Sequence, residues 1–222
     1  MDGNDLSGKI PSIWHQCKEL VELQLGDNKF NGGDIPTDIG NLTKLEWLYL
    51  SSSNLQGIIP SDIGSLTNLQ TLDLSNNSLQ GEIPSSLLNI SSLRMLNLAK
   101  NNLNGSLPIS TGNETLLEEL YLSWNFFTGE IPSFLWSMPS LRIVNVGANH
   151  FKGNLPEEMC HHLLLLEVFA VTDNQLEGSI PKSISNCTSL KGLYLSGNSF
   201  ADKARIMNRQ NVMILVRLKS YM

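Results

Sequence analysis

Three cysteines and a histidine pair are the side chains of this sequence best suited to metal or redox chemistry. Zinc is bound where four thiolate or imidazole groups converge, and the segment "CHH" at 160–162 brings three candidates together. No second ligand pair stands at metal spacing, so we predict no metal site. The three cysteines are an odd number without a close pair, so a disulfide framework cannot be read from them. Cys17 and Cys187 each lie six residues after a Pro, in a column that is otherwise apolar, and are predicted to be buried small hydrophobic residues.

Acid–base catalysis would require paired carboxylates with a partner group. Glu118 and Glu119 are sequence neighbours beside a Leu, and no partner for them is evident. The sequence also has no nucleophile elbow, phosphate-binding loop or kinase signature. We therefore predict a protein that is not an enzyme and needs no cofactor.

Six Asn-x-Ser/Thr sequences could accept N-linked glycans. Four of them lie five residues after a Pro, in one column that is predicted to be exposed, which suits glycans that leave another face free. The six predicted sites are Asn41, Asn76, Asn89, Asn104, Asn113 and Asn186.

An internal repeat must position all of these residues. A ladder position, filled by Asn in every unit but one, recurs every 24 or 25 residues; Ser53 is the exception. The unit is well shown by "LQTLDLSNNSLQGEIPSSLLNISS", from 69 to 92. We expect ladder side chains to turn inward and bond backbone groups of the next turn. The structural ladder comprises Asn28, Asn77, Asn101, Asn125, Asn149, Asn174 and Asn198.

The other columns of the unit predict a solenoid. The Leu-x-Leu pair alternates as a short, half-buried strand does, Gly permits a tight backbone, and Pro marks where an extended segment ends. One unit cannot bury its apolar edge, whereas stacked units share a continuous core. Eight or nine strands would form one parallel sheet.

The repeat resembles the plant-specific extracellular leucine-rich repeat with its Gly-x-Ile-Pro segment. The segments "GNLTKLEWLYLSSSNLQGIIP" and "SLLNISSLRMLNLAKNNLNGSLP" look most like ectodomains of receptor-like serine/threonine kinases of the flagellin- and elongation-factor-sensing type. The resemblance implies a curved right-handed superhelix of about eight repeats, with the parallel sheet on its concave face. It also implies an extracellular location at the plasma membrane, recognition of a peptide or protein ligand in defence or development, and signalling through a co-receptor leucine-rich repeat kinase.

Outward-facing strand positions should line that concave face. Clusters of exposed Tyr, Trp and Arg side chains are typical of binding interfaces. Large aromatic residues on a solvent-facing sheet also indicate an interaction surface. We predict that an extended peptide binds across a patch of seven residues, namely Trp47, Tyr49, Asp73, Arg94, Asn97, Tyr121 and Trp124.

Two departures from the repeat predict local weaknesses in bonding or packing. Ser53 replaces a ladder Asn and is predicted to be too short for the same bonds. Thr111 and Glu114 occupy columns that elsewhere hold Ile, Leu or Met, so packing should be loosest there.

The uneven distribution of charge and the two ends of the sequence lead to further predictions. The net charge is −6, but residues 201–222 hold five bases and one acid, so residues 1–200 are strongly acidic and an unlikely partner for nucleic acid. We predict a repeat domain at 1–200 without normal caps and a non-repeat basic tail at 201–222. The abrupt start and the break after Phe200 indicate a receptor fragment that has neither signal peptide nor membrane-inserting segment.

Three other functions stay open at this point. The same repeat is used by secreted polygalacturonase-inhibiting proteins, which bind the surface of an enzyme. A truncated receptor without function and an intracellular scaffold are the other two.

Overall fold

The computed structural model describes residues 3–108 and 116–201, apart from the side chain of His15, together with the backbone of residues 206–207 and 213–214. Asn113, Thr111 and Glu114 lie outside the described residues. The loose packing predicted around Thr111 and Glu114 therefore stays a prediction.

Eight three-residue strands form the first sheet, one strand per turn of the chain. The sheet is parallel throughout, and each strand pairs with the strand of the next turn. Numbered along the chain, its strands are β1 Glu22–Gln24, β2 Trp47–Tyr49, β4 Thr71–Asp73, β6 Met95–Asn97, β8 Glu119–Tyr121, β10 Ile143–Asn145, β12 Val168–Ala170 and β14 Gly192–Tyr194. The predicted parallel solenoid is confirmed.

The buried middle residue of each strand explains why these segments are strands. Leu72 and Leu96 are fully buried, while the residues on either side of each face outward. A buried residue follows two positions later, as Leu74 does after Leu72. The apolar columns of successive turns thereby join into one continuous core.

A second parallel sheet of six strands was not predicted. Its strands are β3 Gln56–Gly57, β5 Ser78–Gly81, β7 Asn102–Gly105, β9 Phe126–Gly129, β11 His150–Asn154 and β13 Gln175–Glu177. The repeat's Gly lies in or just after these strands at positive φ, for example +78° at Gly105, where an added Cβ would lie 2.7 Å from Glu82. A residue with a side chain would be strained there, which explains the Gly column.

Short 3-10 helices return the chain from the second sheet to the first. They span Trp14–Gln16, Thr37–Asn41, Ser61–Ser65, Leu87–Asn89, Ser133–Ser137 and Lys182–Asn186. Four of them begin directly after a Pro in extended conformation, such as Pro60 at φ −69° and ψ 140°. Pro favours this boundary because it has no N–H to place in the preceding ladder.

Ladder Asn side chains tie each turn to the one before it. The side-chain N–H2 of Asn125 donates to the carbonyls of Leu98 at 2.9 Å and Leu122 at 3.1 Å, and its Oδ1 accepts the N–H of Leu103 at 3.0 Å. The side-chain bonds therefore run to the residue's own turn and to the preceding turn, rather than to the following one. Equivalent bonds are made by Asn77, Asn101, Asn149, Asn174 and Asn198.

Ser53 keeps part of this pattern, contrary to expectation. Its hydroxyl lies 2.8 Å from the carbonyl oxygen of Leu25 and 3.2 Å from that of Ser51. The prediction that a serine is too short to make ladder bonds is therefore wrong for the donor side. A hydroxyl has one proton, so it serves these two carbonyls in turn.

The prediction for the cysteines is wrong in two respects. Cys187 is buried, but it forms a disulfide with Cys160, with a Cα–Cα distance of 5.2 Å. Stacking places these residues on adjacent turns, a proximity that their separation of 27 along the chain conceals. Cys17 is free and exposed, because its turn is the first of the described solenoid and has a neighbouring turn on one side only.

Repeat-type bonding continues to the end of the fully described chain. The N–H of Ala201 donates to the carbonyl of Gly178 at 2.9 Å. Beyond it, β15 Ile206–Met207 pairs antiparallel with β16 Met213–Ile214. The division into a repeat domain at 1–200 and a tail at 201–222 stays a prediction.

Candidate functional site

The first and third residues of each strand in the first sheet point away from the core and form two columns, which together we call the first-sheet face. The strand register aligns both columns across all eight strands. The first column holds Glu22, Trp47, Thr71, Met95, Glu119, Ile143, Val168 and Gly192. The second holds Gln24, Tyr49, Asp73, Asn97, Tyr121, Asn145, Ala170 and Tyr194.

Four of the seven predicted patch residues are consecutive in the second column. Tyr49, Asp73, Asn97 and Tyr121 are register partners on four adjacent strands. At about 4.8 Å per strand they span roughly 14 Å. Trp47 lies beside them in the first column, as the register partner of Thr71. An aromatic side chain thus stands at each end of a polar pair.

Asp73 and Asn97 also have a structural role that the sequence analysis missed. Oδ1 of Asp73 accepts the backbone N–H of Ser75 at 2.9 Å, and Oδ1 of Asn97 accepts that of Ala99 at 3.2 Å. Such bonds, two residues along the chain, hold the turn that ends a strand. They also fix the orientation of the side chains on the first-sheet face. Asn145 makes the same bond to Gly147, so the recurrence of Asp or Asn in this column was the available signal.

Tyr121 is the most constrained aromatic residue of the patch. Its hydroxyl donates to Oε2 of Glu119 at 2.8 Å, within the same strand. Burial, with a smaller contribution from the hydrogen bond and charge of Glu119, raises the pKa of Tyr121 to about 12 from 10.0. The phenol therefore stays protonated, and the pair presents a fixed hydroxyl beside a carboxylate.

We predict that Tyr121 titrates late and that its protonation stabilises the fold. A pKa raised in the folded state contributes stability below the unfolded value near 10, and this contribution is lost as pH rises through about 12. Phenolate absorbance of the wild type minus that of Tyr121→Phe should show one tyrosine titrating near pH 12. Glu119→Gln should reverse only part of the shift, because burial is its larger cause. A difference titration centred near pH 10 would contradict the assignment.

Arg94 belongs to a row of charged residues that precedes the strands by one position. Its guanidinium lies 2.6 Å from Oε1 of Glu118, and Glu167 of the same row bridges Arg142 and Lys191. Hydrogen bonds from Lys191 and then Arg142 lower the pKa of Glu167 and keep it ionised. These pairs are exposed and contribute little to stability. Arg94 thus borders the first-sheet face with its charge already paired.

Trp124 lies apart from the other patch residues. It follows Tyr121 by three positions and is outside the strand, at the turn residue before ladder Asn125. Its φ is +60°, in the left-handed region that bulky side chains rarely adopt, and it is 65% exposed. The structure therefore brings six of the seven residues onto or beside the first sheet and leaves Trp124 at its margin.

The far end of the first-sheet face is apolar, which the patch prediction did not consider. Ile143 and Val168 are register partners in the first column and half-buried. Ala170, expected to face outward, is buried, because its methyl group lies between the larger Asn145 and Tyr194. Tyr194 closes this end and is 54% exposed.

The predicted glycan sites divide between two locations. Asn41, Asn89 and Asn186 each end a 3-10 helix, on the side of the turn away from the strands. Asn41 and Asn89 are exposed, whereas Asn186 is half-buried. Asn76 and Asn104 are both exposed and lie on the side of the second sheet. Glycosylation at these sites and at Asn113 stays a prediction.

Exposed aromatic residues also stand on the second sheet, where no site was predicted. Phe126 is 51% exposed, and its ring centroid lies 6.1 Å from that of His150 on the adjacent strand. The sequence signal was present in "WNFFTG", where another Phe directly precedes the one that enters the core.

Metal-binding clusters and membrane-spanning helices are both absent from the described residues. Within 3–108 and 116–201, no group of three His, Cys, Asp or Glu side chains is placed to hold a metal ion. In the same part of the chain no helix has the length and apolar character required to cross a membrane.

Comparison with known proteins identifies relatives of the repeat region. A family model described as "Leucine-rich repeat region" matches residues 7–219. The receptor protein-tyrosine kinase CEPR2 of Arabidopsis thaliana is 46% identical over 57 residues, which is 26% of this chain and 6% of that protein. The chain thus spans only a small part of this kinase.

Solved structures agree with the fold. The crystal structure of PEPR1 with AtPEP1 superposes with a TM-score of 0.83 at 32% identity, over 89% of this chain and 28% of that one. The plant peptide hormone receptor RGFR1 in complex with RGF2 gives 0.79 at 29% identity, over 89% and 35%. This likeness to plant receptor ectodomains confirms the curved repeat solenoid with the first sheet on its concave face.

Proposed function

The chain belongs to the leucine-rich repeat family, and from that premise we propose that it is the ligand-recognition part of a plant receptor-like kinase or receptor-like protein. It acts outside the cell, in defence or developmental signalling, by binding an extended peptide along the first-sheet face. Its partners are that peptide and a co-receptor leucine-rich repeat kinase. The module binds and does not catalyse.

One observation carries the proposal: Tyr49, Asp73, Asn97 and Tyr121 are consecutive in register on an outward sheet face. Aromatic anchors flanking oriented polar groups suit a strand-like peptide, whose side chains can meet successive turns. PEPR1 and RGFR1, the similar structures, were both solved with peptides.

Binding to a synthetic library of secreted plant peptides tests the proposal. The chain is secreted from insect cells, immobilised, and measured by biolayer interferometry. Tyr49→Ala is expected to weaken a captured peptide by at least about tenfold, the loss typical of an interface anchor. Tyr194→Ala, in the same column but four strands beyond Asn97, is the matched control and should change affinity by less than about twofold.

Two results would count against the proposal. If Tyr194→Ala abolishes binding while Tyr49→Ala does not, the ligand lies at the apolar end instead. If no peptide binds and a purified polygalacturonase does, the chain is an enzyme inhibitor.

A further inference from the structure

Phe126 is an apolar side chain that the described protein leaves half uncovered. It opens β9 and points outward from the second sheet, whereas the next residue, Phe127, is fully buried. His150 meets one side of its ring, with centroids 6.1 Å apart. On its other side, the register partner of Phe126 is Asn104 of β7. Register partners in a parallel sheet point to the same face, so Asn104 lies outward beside Phe126. The register partner of His150 is Thr128, so its ring reaches Phe126 diagonally across the two strands.

Asn104 heads the sequence Asn104-Gly105-Ser106 and is exposed. Adjacent strands lie about 4.8 Å apart. The first sugar linked to Nδ2 of Asn104 therefore starts close enough to contact the ring of Phe126. A pyranose ring has an apolar face of C–H groups. Laying that face on an aromatic ring removes apolar surface from water and adds dispersion contacts.

We infer that Asn104 carries an N-linked glycan whose first N-acetylglucosamine ring lies over Phe126. The bond forms between Nδ2 of Asn104 and the anomeric carbon of an oligosaccharide carried on a lipid pyrophosphate. The lipid pyrophosphate departs with the bonding electrons, and Nδ2 loses one proton. The inference rests on the extracellular location in the proposed function.

Geometry singles out Asn104 among the predicted glycan sites. Asn41, Asn89 and Asn186 end 3-10 helices, and Asn76 lies in a turn where its side chain donates to the hydroxyl of Ser52. Of the sites in the described residues, Asn104 alone lies in a strand and has an aromatic register partner. Its glycan is therefore part of the folded surface, covering the ring that the chain leaves exposed.

Site occupancy and thermal melting of the chain secreted from insect cells test this. Peptide mapping should find Asn104 modified. Asn104→Gln and Ser106→Ala both remove the site, and each is expected to lower Tm by about 2–4 °C, the shift that an ordinary aromatic contact produces in a chain of this length. Trimming the glycan to its first sugar should leave Tm unchanged.

A double-mutant comparison isolates the stacking contact. Phe126→Ala should lower Tm clearly more in the glycosylated chain than in the Asn104→Gln background, where only the contact with His150 is lost. Phe126→Tyr should retain the wild-type Tm. The inference is overturned if Asn104 is unmodified in the secreted chain, or if Phe126→Ala has the same effect with and without the glycan.

Peptide affinity measured on the same preparations separates this inference from the proposed function. Asn104 lies on the second sheet, so Asn104→Gln should bind peptide as the wild type does. If the stacking effect is absent but the chain binds peptide, the glycan inference is wrong and the proposed function is retained. If the stacking effect is present but the chain binds no peptide, the proposed function is wrong and the glycan contact is retained.

Discussion

Replacing Asn125 with alanine is expected to lower the free energy of unfolding by about 3–4 kcal/mol, since it leaves several buried backbone groups without a partner. The Asn125 side chain serves the carbonyls of Leu98 and Leu122 and the N–H of Leu103, and it is itself buried. Water cannot reach these groups to replace the lost bonds. Urea unfolding monitored by circular dichroism measures the change, and Tm should fall by about 6–15 °C.

Asn102→Ala is the matched control for the ladder. Asn102 is an exposed asparagine in β7, and its replacement should change stability by less than about 0.5 kcal/mol. Asn125→Ser should cost less than Asn125→Ala, because Ser53 shows that a hydroxyl at a ladder position still reaches two carbonyls. If Asn125→Ala proves as mild as Asn102→Ala, the ladder bonds do not stabilise the fold.

Removing the Cys160–Cys187 disulfide is expected to lower the free energy of unfolding by about 3–4 kcal/mol. The bond closes a loop whose ends are 27 residues apart, and a cross-link of that length restricts the unfolded chain by about this amount. The double replacement Cys160→Ala with Cys187→Ala should unfold at a lower urea concentration. Dithiothreitol should produce the same decrease in the wild type and no further decrease in the double variant.

Cys17→Ala separates the disulfide from general thiol effects. Cys17 is exposed and unpaired, so its replacement should leave the urea midpoint unchanged. A wild-type chain that keeps its midpoint under dithiothreitol would show that the loop is held by packing alone.

Sequence was sufficient to predict the first sheet because its signal is periodic. Leu72 and Leu96 recur 24 positions apart and enter the core at equivalent points, so the strands that contain them must stack in register. The alignment of Tyr49, Asp73 and Asn97 follows from the same period. Their shared face was therefore predictable, whereas the bonds of Asp73 and Asn97 to nearby backbone N–H groups were not.

The second sheet escaped prediction because its strands carry a weak local signal. In β5, Leu79 is the single buried residue, and Gly81 ends the strand at φ +79°. One apolar residue followed by Gly is typical of a turn as much as of a strand. The pairing becomes evident only when successive turns lie side by side, as Gln80 does with Asn102.

The disulfide and the place of Trp124 outside the strand were not predicted from the sequence. Cys160 lies four residues after Pro156, whereas Cys187 lies six residues after Pro181, so the two cysteines occupy different columns of the repeat. Trp124 follows Tyr121 by three positions and lies beyond the end of the strand, at a left-handed φ of +60°. Both depend on three-dimensional geometry that the residue types of the repeat do not reveal.

The one-directional bonding of the Asn ladder has a consequence for how such genes change. Each ladder Asn side chain contacts its own turn and the turn before it, so the junctions from Asn77 to Asn198 repeat the same bonds. An in-frame duplication of one unit would supply a turn whose contacts on both sides are already encoded. Duplication can therefore lengthen the first-sheet face, with two new outward residues per added turn, while the core keeps the same packing.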